Sequence, residues 1–360
     1  MSQVSERDVI AALSKVNDPE LHRDLVSLKM VQDVRILPEG AIKLRIDLTT
    51  PACPMKGRIQ SDVEAALLAL PGVSKVELEW GSQVRRSSHA AQGSFIPGVK
   101  NVILVGAGKG GVGKSTVALN LAAALRMEGA TVGLLDADFY GPSVPLMTGL
   151  SGKPTSKDGK SLEPMDAHGL KVMSIGFLVD ADQAMVWRGP MLHSAITQLL
   201  RDVNWGDLDY LVLDLPPGTG DVPLSLTQLV KAAGVVLVST PQDVALLDVV
   251  KAKAMFDRVS VPVLGIVENM SEFICPHCEK STAIFDHGGA GRAAEKMGIP
   301  LLGTIPLDLA IRMGGDKGTP VTVEYPDSKQ AEAFRTMARN IAGRVSVQAH
   351  EVKLPVFKLG

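Results

Sequence analysis

Cysteine is scarce in this chain, with 3 residues in 360. Three cysteines cannot build a disulfide framework, and the odd count points to a reducing compartment. Excess charge is lacking too: 37 Lys and Arg stand against 39 Asp and Glu, a formal net charge of -2. No global basic field would draw in nucleic acid or a membrane surface. No uncharged apolar run reaches about 18 residues, so no transmembrane helix is expected. The opening MSQVSERDVIAALSKV lacks the basic flank, apolar run and small-residue cleavage site of a secretory signal. Internal repeats and low-complexity blocks are missing as well. These absences lead to the expectation of a soluble cytoplasmic protein without nucleic-acid or membrane partners.

What is present fits a globular protein: 46% hydrophobic and 21% charged residues, with 35 glycines. Those proportions support sizeable cores, and the glycines suit tight turns and phosphate-cradling loops. The length allows two domains of roughly 100–200 residues each. Residues 5–16 carry Val9, Ile10, Leu13 and Val16 at helical spacing. Met30 to Leu37 and the alternating Ile42 to Leu48 read as strands around a Pro38-Glu39-Gly40 turn. Residues 57–70 read as a helix and Val73 to Trp80 as a strand. This αββαβ order predicts a small α+β domain over residues 1–81. Asp18 and Glu20 read as residues of a helix-terminus turn. Residues 82–98, rich in Ser, Gly, Ala and Gln, have no period and read as a linker.

From residue 99 the pattern changes. The runs NVILVGA, ATVGLLDAD, LKVMSI, YLVLDLP, GVVLVST, VPVLGIV and IPLLGTIP alternate with helix-length segments. Runs apolar on both sides and separated by helices predict a mainly parallel sheet covered on both faces. This α/β domain is expected over 99–345, with a last helix from about Lys329 to Ile341 and a peripheral tail over 346–360.

Right after the first of these strands comes GAGKGGVGKST, residues 106–116. Gly108 to Ser115 satisfies GxxxxGK[ST] in a strand–loop–helix context. Gly108, Lys109, Gly110, Gly111, Val112 and Gly113 would turn backbone N–H groups toward a nucleotide's phosphates, and a helix from about Lys114 to Met127 would add its positive end. Lys114 would reach the β- and γ-phosphates. The Ser115 hydroxyl would ligate Mg²⁺, with Thr116 beside it. Two strands end on acids, Leu134-Leu135-Asp136-Ala137-Asp138 and Leu211-Val212-Leu213-Asp214. Ligands of open α/β sheets bind at such strand ends. Asp136 and Asp214 would therefore contact Mg²⁺ through water. Gly218 of PPGTGD would offer a backbone N–H to the γ-phosphate.

Two of the three cysteines stand close together, in Ile274-Cys275-Pro276-His277-Cys278. One CxxC supplies two thiolates, whereas a tetrahedral zinc site or an iron–sulfur cluster usually takes four ligands. A redox dithiol, half of a metal site and a bland buried pair all remain open on these residues alone. His277 and His287 read as loop or packing residues.

Lys109, a second lysine inside the phosphate loop, is not required by a simple cradle. The loop resembles the deviant Walker A of the MinD/ParA/nitrogenase-reductase class of P-loop ATPases. That resemblance implies a homodimer in which Lys109 reaches the partner's phosphates. It also implies a water-positioning role for Asp138 and a part in reading adenine for Asn269. The motifs DADFYGPSVP, VWRGPM, DLPPGTGD, TPQDVALLD and ENMSEFICPHC narrow the likeness to Mrp/ApbC iron–sulfur cluster carrier ATPases. Asp18-Pro19-Glu20 and Thr49-Thr50-Pro51-Ala52-Cys53-Pro54-Met55 resemble the small iron–sulfur assembly domain often fused to them. Together the likeness covers about residues 5–340.

This resemblance implies ATP and Mg²⁺ as ligands and a [4Fe–4S] cluster bridged by Cys275 and Cys278 of two protomers. The implied partners are a cluster assembly scaffold and apo iron–sulfur proteins. A symmetric dimer would also solve the ligand arithmetic, because two chains supply four thiolates. Inter-subunit structural zinc satisfies the same count. A partitioning-type ATPase would share the loop, but the tail GRVSVQAHEVKLPVFKLG shows no basic amphipathic stripe. Cys53 has two readings, a thiol that passes a cluster or a small core hydrophobe.

Overall fold

The computed structural model describes residues 4–87, 95–179, 189–278 and 280–350. The chain divides into two units, Met1–Arg85 with Ala342–Gly360, and Arg86–Ile341.

In the small unit, α1 (Glu6–Leu13) opens with a capping box. The Asp8 N–H donates to the Ser5 hydroxyl, and the Ser5 N–H donates back to the Asp8 carboxylate. Such reciprocal bonds satisfy orphan donors of the first turn. A two-residue antiparallel ladder, β1 (Asn17–Asp18) with β2 (Arg23–Asp24), follows. β3 (Val31–Ile36) and β4 (Ala41–Leu48) form an antiparallel pair, and β5 (Lys75–Ser82) adds in parallel to β4 after the crossover helix α2 (Lys56–Leu68). β4 is the central strand, and its alternation puts Ile42, Leu44, Ile46 and Leu48 into the core. Four-residue spacing puts Ile59, Val63 and Leu67 of α2 on one buried face. These side chains join Val9 and Leu13 in one cluster. Each contributes about 1.5–3 kcal/mol by leaving water. The αββαβ order is as the sequence predicts, with the short β1–β2 ladder added.

The Asp18 carboxylate accepts the N–H groups of Glu20 and Leu21 at 2.9 Å each, a turn role as expected but between β1 and β2 rather than at a helix terminus. Glu20 does more. Its carboxyl lies against Gly343, where any Cβ would overlap it. Burial, then the charge of Asp18, push Glu20 up to about 7, while Arg344 opposes them. A carboxyl raised in the folded state favours the protonated form, so folding loses stability as pH rises from about 4.5 to about 7. Glu20→Gln removes that cost. Thermal melts should show the variant more stable than the wild type above pH 7, with the gap closing toward pH 4.5.

In the large unit, β6 (Val99–Ala107) leads through the glycine loop into α3 (Lys114–Met127), which has the bounds the sequence predicts. β7 (Val132–Asp136), the short α4 (Val144–Thr148), β8 (Met165–Ala167) and β9 (Leu170–Ser174) follow. Next come α5 (Gly189–Arg201), β10 (Leu208–Asp214), α6 (Asp221–Leu229), β11 (Gly234–Ser239) and α7 (Asp243–Arg258). β12 (Val263–Ile274) is the longest strand. It is followed by β13 (Ser281–Thr282), α8 (Gly289–Met297), β14 (Leu301–Leu307), α9 (Leu309–Lys317) and α10 (Val321–Glu324).

The nine strands form one sheet in the order β13-β12-β11-β6-β10-β7-β9-β8, with β14 also beside β12. All pairings are parallel except those of β8 and β13. β11 is buried throughout, as expected of a strand covered on both faces. Parallel strands present their C-terminal ends on one edge, so the glycine loop and both acidic strand ends share that edge.

The last helix, α11 (Lys329–His350), is longer than expected. Its residues from Ala342 onward belong to the small unit, so the division falls before 345 and residues 346–350 are helical. Gly343 gives Glu20 its place on this helix, a long-range contact that periodicity does not reveal.

Candidate functional site

The phosphate loop is shaped by two glycines in the left-handed region, Gly111 at φ 81° and Gly113 at φ 82°. Gly113 is also the N-cap of α3. A Cβ on Gly113 would overlap the Asn269 amide, and one on Gly108 would overlap the Asp248 backbone. Glycine at these places therefore serves both conformation and close packing. Val112 is buried, Ser115 and Thr116 are half-buried at the start of α3, and Gly110 is exposed. Lys109 is half-buried. Among the described residues, no carboxylate forms an ion pair with it.

Lys114 is turned into the protein. Its Nζ donates to Asp214 Oδ1 at 2.5 Å, lies 3.3 Å from the Ser115 hydroxyl and 3.8 Å from Asp138 Oδ2. Asp214 pairs in register with Val105 of β6 and Asp136 of β7, so strand pairing alone sets the two acids side by side. Asp136 Oδ1 accepts the Asp138 N–H at 3.1 Å. Its Oδ2 accepts the Val144 N–H at 3.2 Å and the Ser174 hydroxyl at 3.0 Å. Burial, followed by the neighbouring Asp214, still pushes Asp136 up to about 7. Burial also raises Asp138, against the pull of Lys114.

Asp138 and Asp214 thus face one ammonium with Asp136 beside Asp214 in register, and among the described residues the buried Asp214 Oδ2 has no hydrogen-bond partner. An orphaned buried oxygen in an acidic pocket beside a hydroxyl is a donor set that suits a hard divalent cation held through water.

Asn269 is buried on β12, and its Nδ2 donates to Val112 O at 2.9 Å, pinning the phosphate loop. Next to it Met270 adopts φ 57°, and the register of β12 against β14 shifts between Asn269 and Phe273. A cavity of about 360 Å³ opens here, lined among others by Gly113, Asn269, Met270, Leu307, Asp308 and Ile311. The Gly218 N–H, expected to face a γ-phosphate, instead donates to Ala107 O at 2.9 Å. Gly218 has φ 93°, and no atom crowds its Cβ direction.

The CPHC segment is the tip of a hairpin. Phe273 pairs with Thr282 and Ile274 with Ser281, and the Cys275 N–H donates to Lys280 O at 3.0 Å. Cys275 is half-buried and Cys278 exposed. The backbone N–H of His277, then the N–H and thiol of Cys278, hold the Cys275 thiol below its ordinary range. A turn that aims N–H groups at a sulfur favours the thiolate, the form that binds metal. His277 and His287 are exposed. No three His, Cys, Asp or Glu side chains converge as a metal site among the described residues, so this turn brings two cysteine sulfurs.

Cys53 is buried in the core of the small unit. Burial pushes its thiol up to about 12, which keeps it protonated in this conformation. Trp187 and Arg188 of VWRGPM lie outside the described residues. The sequence pattern does not single out Ser174 or Glu268. Glu268 is buried and accepts the Gly288 and Ala290 N–H groups at the start of α8. The available signal for both was a polar residue directly after an apolar run.

A glycine loop between a central parallel strand and a helix, facing acidic strand ends, defines a P-loop NTPase unit of MinD/ParA-like fold. The chain belongs to the ParA family described as NUBPL iron-transfer P-loop NTPase, whose model matches residues 98–342. Residues 6–79 match the model of the iron–sulfur cluster assembly protein domain. The chain is 53% identical over 341 residues to the iron–sulfur cluster carrier protein of Deinococcus radiodurans, covering 94% of this chain and 95% of that one. Among solved structures, the nucleotide-binding protein of Archaeoglobus fulgidus in complex with ADP is 42% identical, with TM-score 0.58. That match covers 66% of this chain and 93% of that one. The cell division ATPase MinD of Pyrococcus furiosus shares the fold at 23% identity and TM-score 0.50, covering 67% of this chain and 98% of that one.

Proposed function

We propose that the chain is an ATP-hydrolysing carrier that receives a [4Fe–4S] cluster and passes it to apo-proteins. Two copies hold the cluster between their Cys275–Cys278 turns. The carrying observation is the exposed hairpin tip with a turn that favours the Cys275 thiolate and, among the described residues, no third metal-ligating side chain beside the two cysteines. A second copy raises the count to four across a twofold axis.

ATP occupies the 108–116 loop, with its base in the cavity beside Asn269. Because Nδ2 of Asn269 holds Val112, its Oδ1 is the atom left to read an adenine amino group. Lys114 leaves Asp214 and turns to the β- and γ-phosphates. Ser115, and Asp136 and Asp214 through water, would hold Mg²⁺, which would neutralise charge on the phosphates. Asp138 positions the attacking water. Gly218 exchanges its bond to Ala107 O for the γ-phosphate, which moves the 214–221 segment, in the manner of γ-phosphate switches. The strand that pins the phosphate loop through Asn269 ends at Ile274, directly before Cys275, so one strand leads from the loop's anchor to the cysteine turn. That shared strand supports a coupling of nucleotide state to cluster grip.

Lys109 is assigned the partner's phosphates, consistent with its lack of an ion pair among the described residues. Lys109→Ala should abolish the dimer that ATP and Mg²⁺ induce, as read by sedimentation velocity. Nucleotide affinity of the single chain should change less than about threefold, well under 1 kcal/mol. A variant that dimerises like the wild type sinks this assignment.

A further inference from the structure

We propose that Ser174 is a positioning residue of the cation–phosphate site. Its hydroxyl sets the Asp136 carboxylate and seats the segment that follows it. The inference rests on the nucleotide reading above and names a residue that reading does not use.

Ser174 is the last residue of β9, next to β7 in the sheet, and pairs in register with Asp136. The Gly176 N–H donates to Ser174 Oγ at 3.0 Å. With that lone pair taken, the hydroxyl hydrogen is directed at Asp136 Oδ2, also 3.0 Å away. The other donor to this oxygen is the Val144 N–H at 3.2 Å. Ser174 and Asp136 are both fully buried, so no solvent stands ready to replace a lost donor. Two residues on, Gly176 packs on the 138–145 segment, since a Cβ there would sit 3.1 Å from Pro145 and 3.2 Å from Pro142. The end of β9 therefore meets that segment twice, once by hydrogen bonding through Asp136 and once by packing.

A carboxylate that serves a cation through water must present its free lone pairs in a set direction. Partners that orient such ligands commonly matter 10–100-fold, roughly, in metal affinity. Without the hydroxyl, Asp136 Oδ2 keeps one backbone donor and gains torsional freedom.

The test uses the full chain and a fluorescent ATP analogue, titrated with Mg²⁺ and in parallel in EDTA. For Ser174→Ala, the Mg²⁺ concentration giving half-maximal tightening should rise about tenfold, while affinity in EDTA stays within about twofold. Ser174→Thr, which keeps the hydroxyl, should restore the Mg²⁺ requirement. In an Asp136→Asn background, Ser174→Ala should add nothing. An unchanged Mg²⁺ requirement in Ser174→Ala overturns the proposal. So does an equal loss of binding with and without Mg²⁺, the mark of a merely structural role. Nucleotide binding by the wild type that ignores Mg²⁺ overturns the underlying site reading as well, and that control separates the two failures.

Discussion

Cys275→Ala/Cys278→Ala should fail to load an iron–sulfur cluster. After anaerobic reconstitution with iron and sulfide, the wild type should hold about two iron atoms per chain, half of a four-iron cluster. The double variant should fall more than about tenfold, because a dimer of it has none of the four thiolates left. The fold should survive the change. Cys278 is exposed and Cys275 half-buried at a hairpin tip, so no core packing is removed. Nucleotide affinity and thermal midpoint should stay near wild type, and those controls tie the loss to the ligands. Equal iron loading in both proteins would sink the bridging site. Zinc in place of iron in anaerobically purified wild type would keep the four-thiolate geometry but remove the cluster.

Lys114→Ala should abolish nucleotide binding and destabilise the nucleotide-free large unit. The first effect follows from the loss of the charge-assisted bond to the phosphates. The second follows from what Lys114 does before nucleotide arrives. Its ammonium lies near Asp138 and bonds the fully buried Asp214. Removing one partner of a buried ion pair costs about 3–5 kcal/mol, because the other charge is left uncompensated. The large unit's melting midpoint should drop by on the order of 10 °C. Adding Asp214→Asn should recover most of that drop and none of the nucleotide affinity. Recovery of neither, measured by calorimetry, would show that the Lys114–Asp214 contact carries no stability. Retained normal ATP affinity in Lys114→Ala would end the phosphate-loop assignment.

The same contact shows where sequence reading stops. GKGGVGKST identifies a phosphate loop because glycine positions, the helix start and the lysine all lie within one turn of chain. It does not reveal that Lys114 rests on Asp214, which is 100 residues away. The strand-end acids were readable one at a time as the close of an apolar run. Their adjacency comes from β10 lying between β6 and β7, a matter of strand order. Gly218 was readable as a flexible turn residue, but its bond to Ala107 O depends on the folded position of the 214–221 segment. Cys53 stayed ambiguous because TTPACPM has no clear period. Packing decided its burial, and burial decided its protonation.

By itself, the sequence determined the elements and the chemistry they carry. The apolar runs made a parallel sheet, the glycines made a phosphate loop, and CPHC made a turn with two cysteines. Each of these is written within a few neighbouring residues. The tertiary structure alone decided which groups meet. It placed Ser174 against Asp136, laid Glu20 on Gly343 of α11, and pinned the phosphate loop with the strand that ends just before Cys275. Those meetings depend on strand order and close packing between distant segments, and local periodicity carries no record of either.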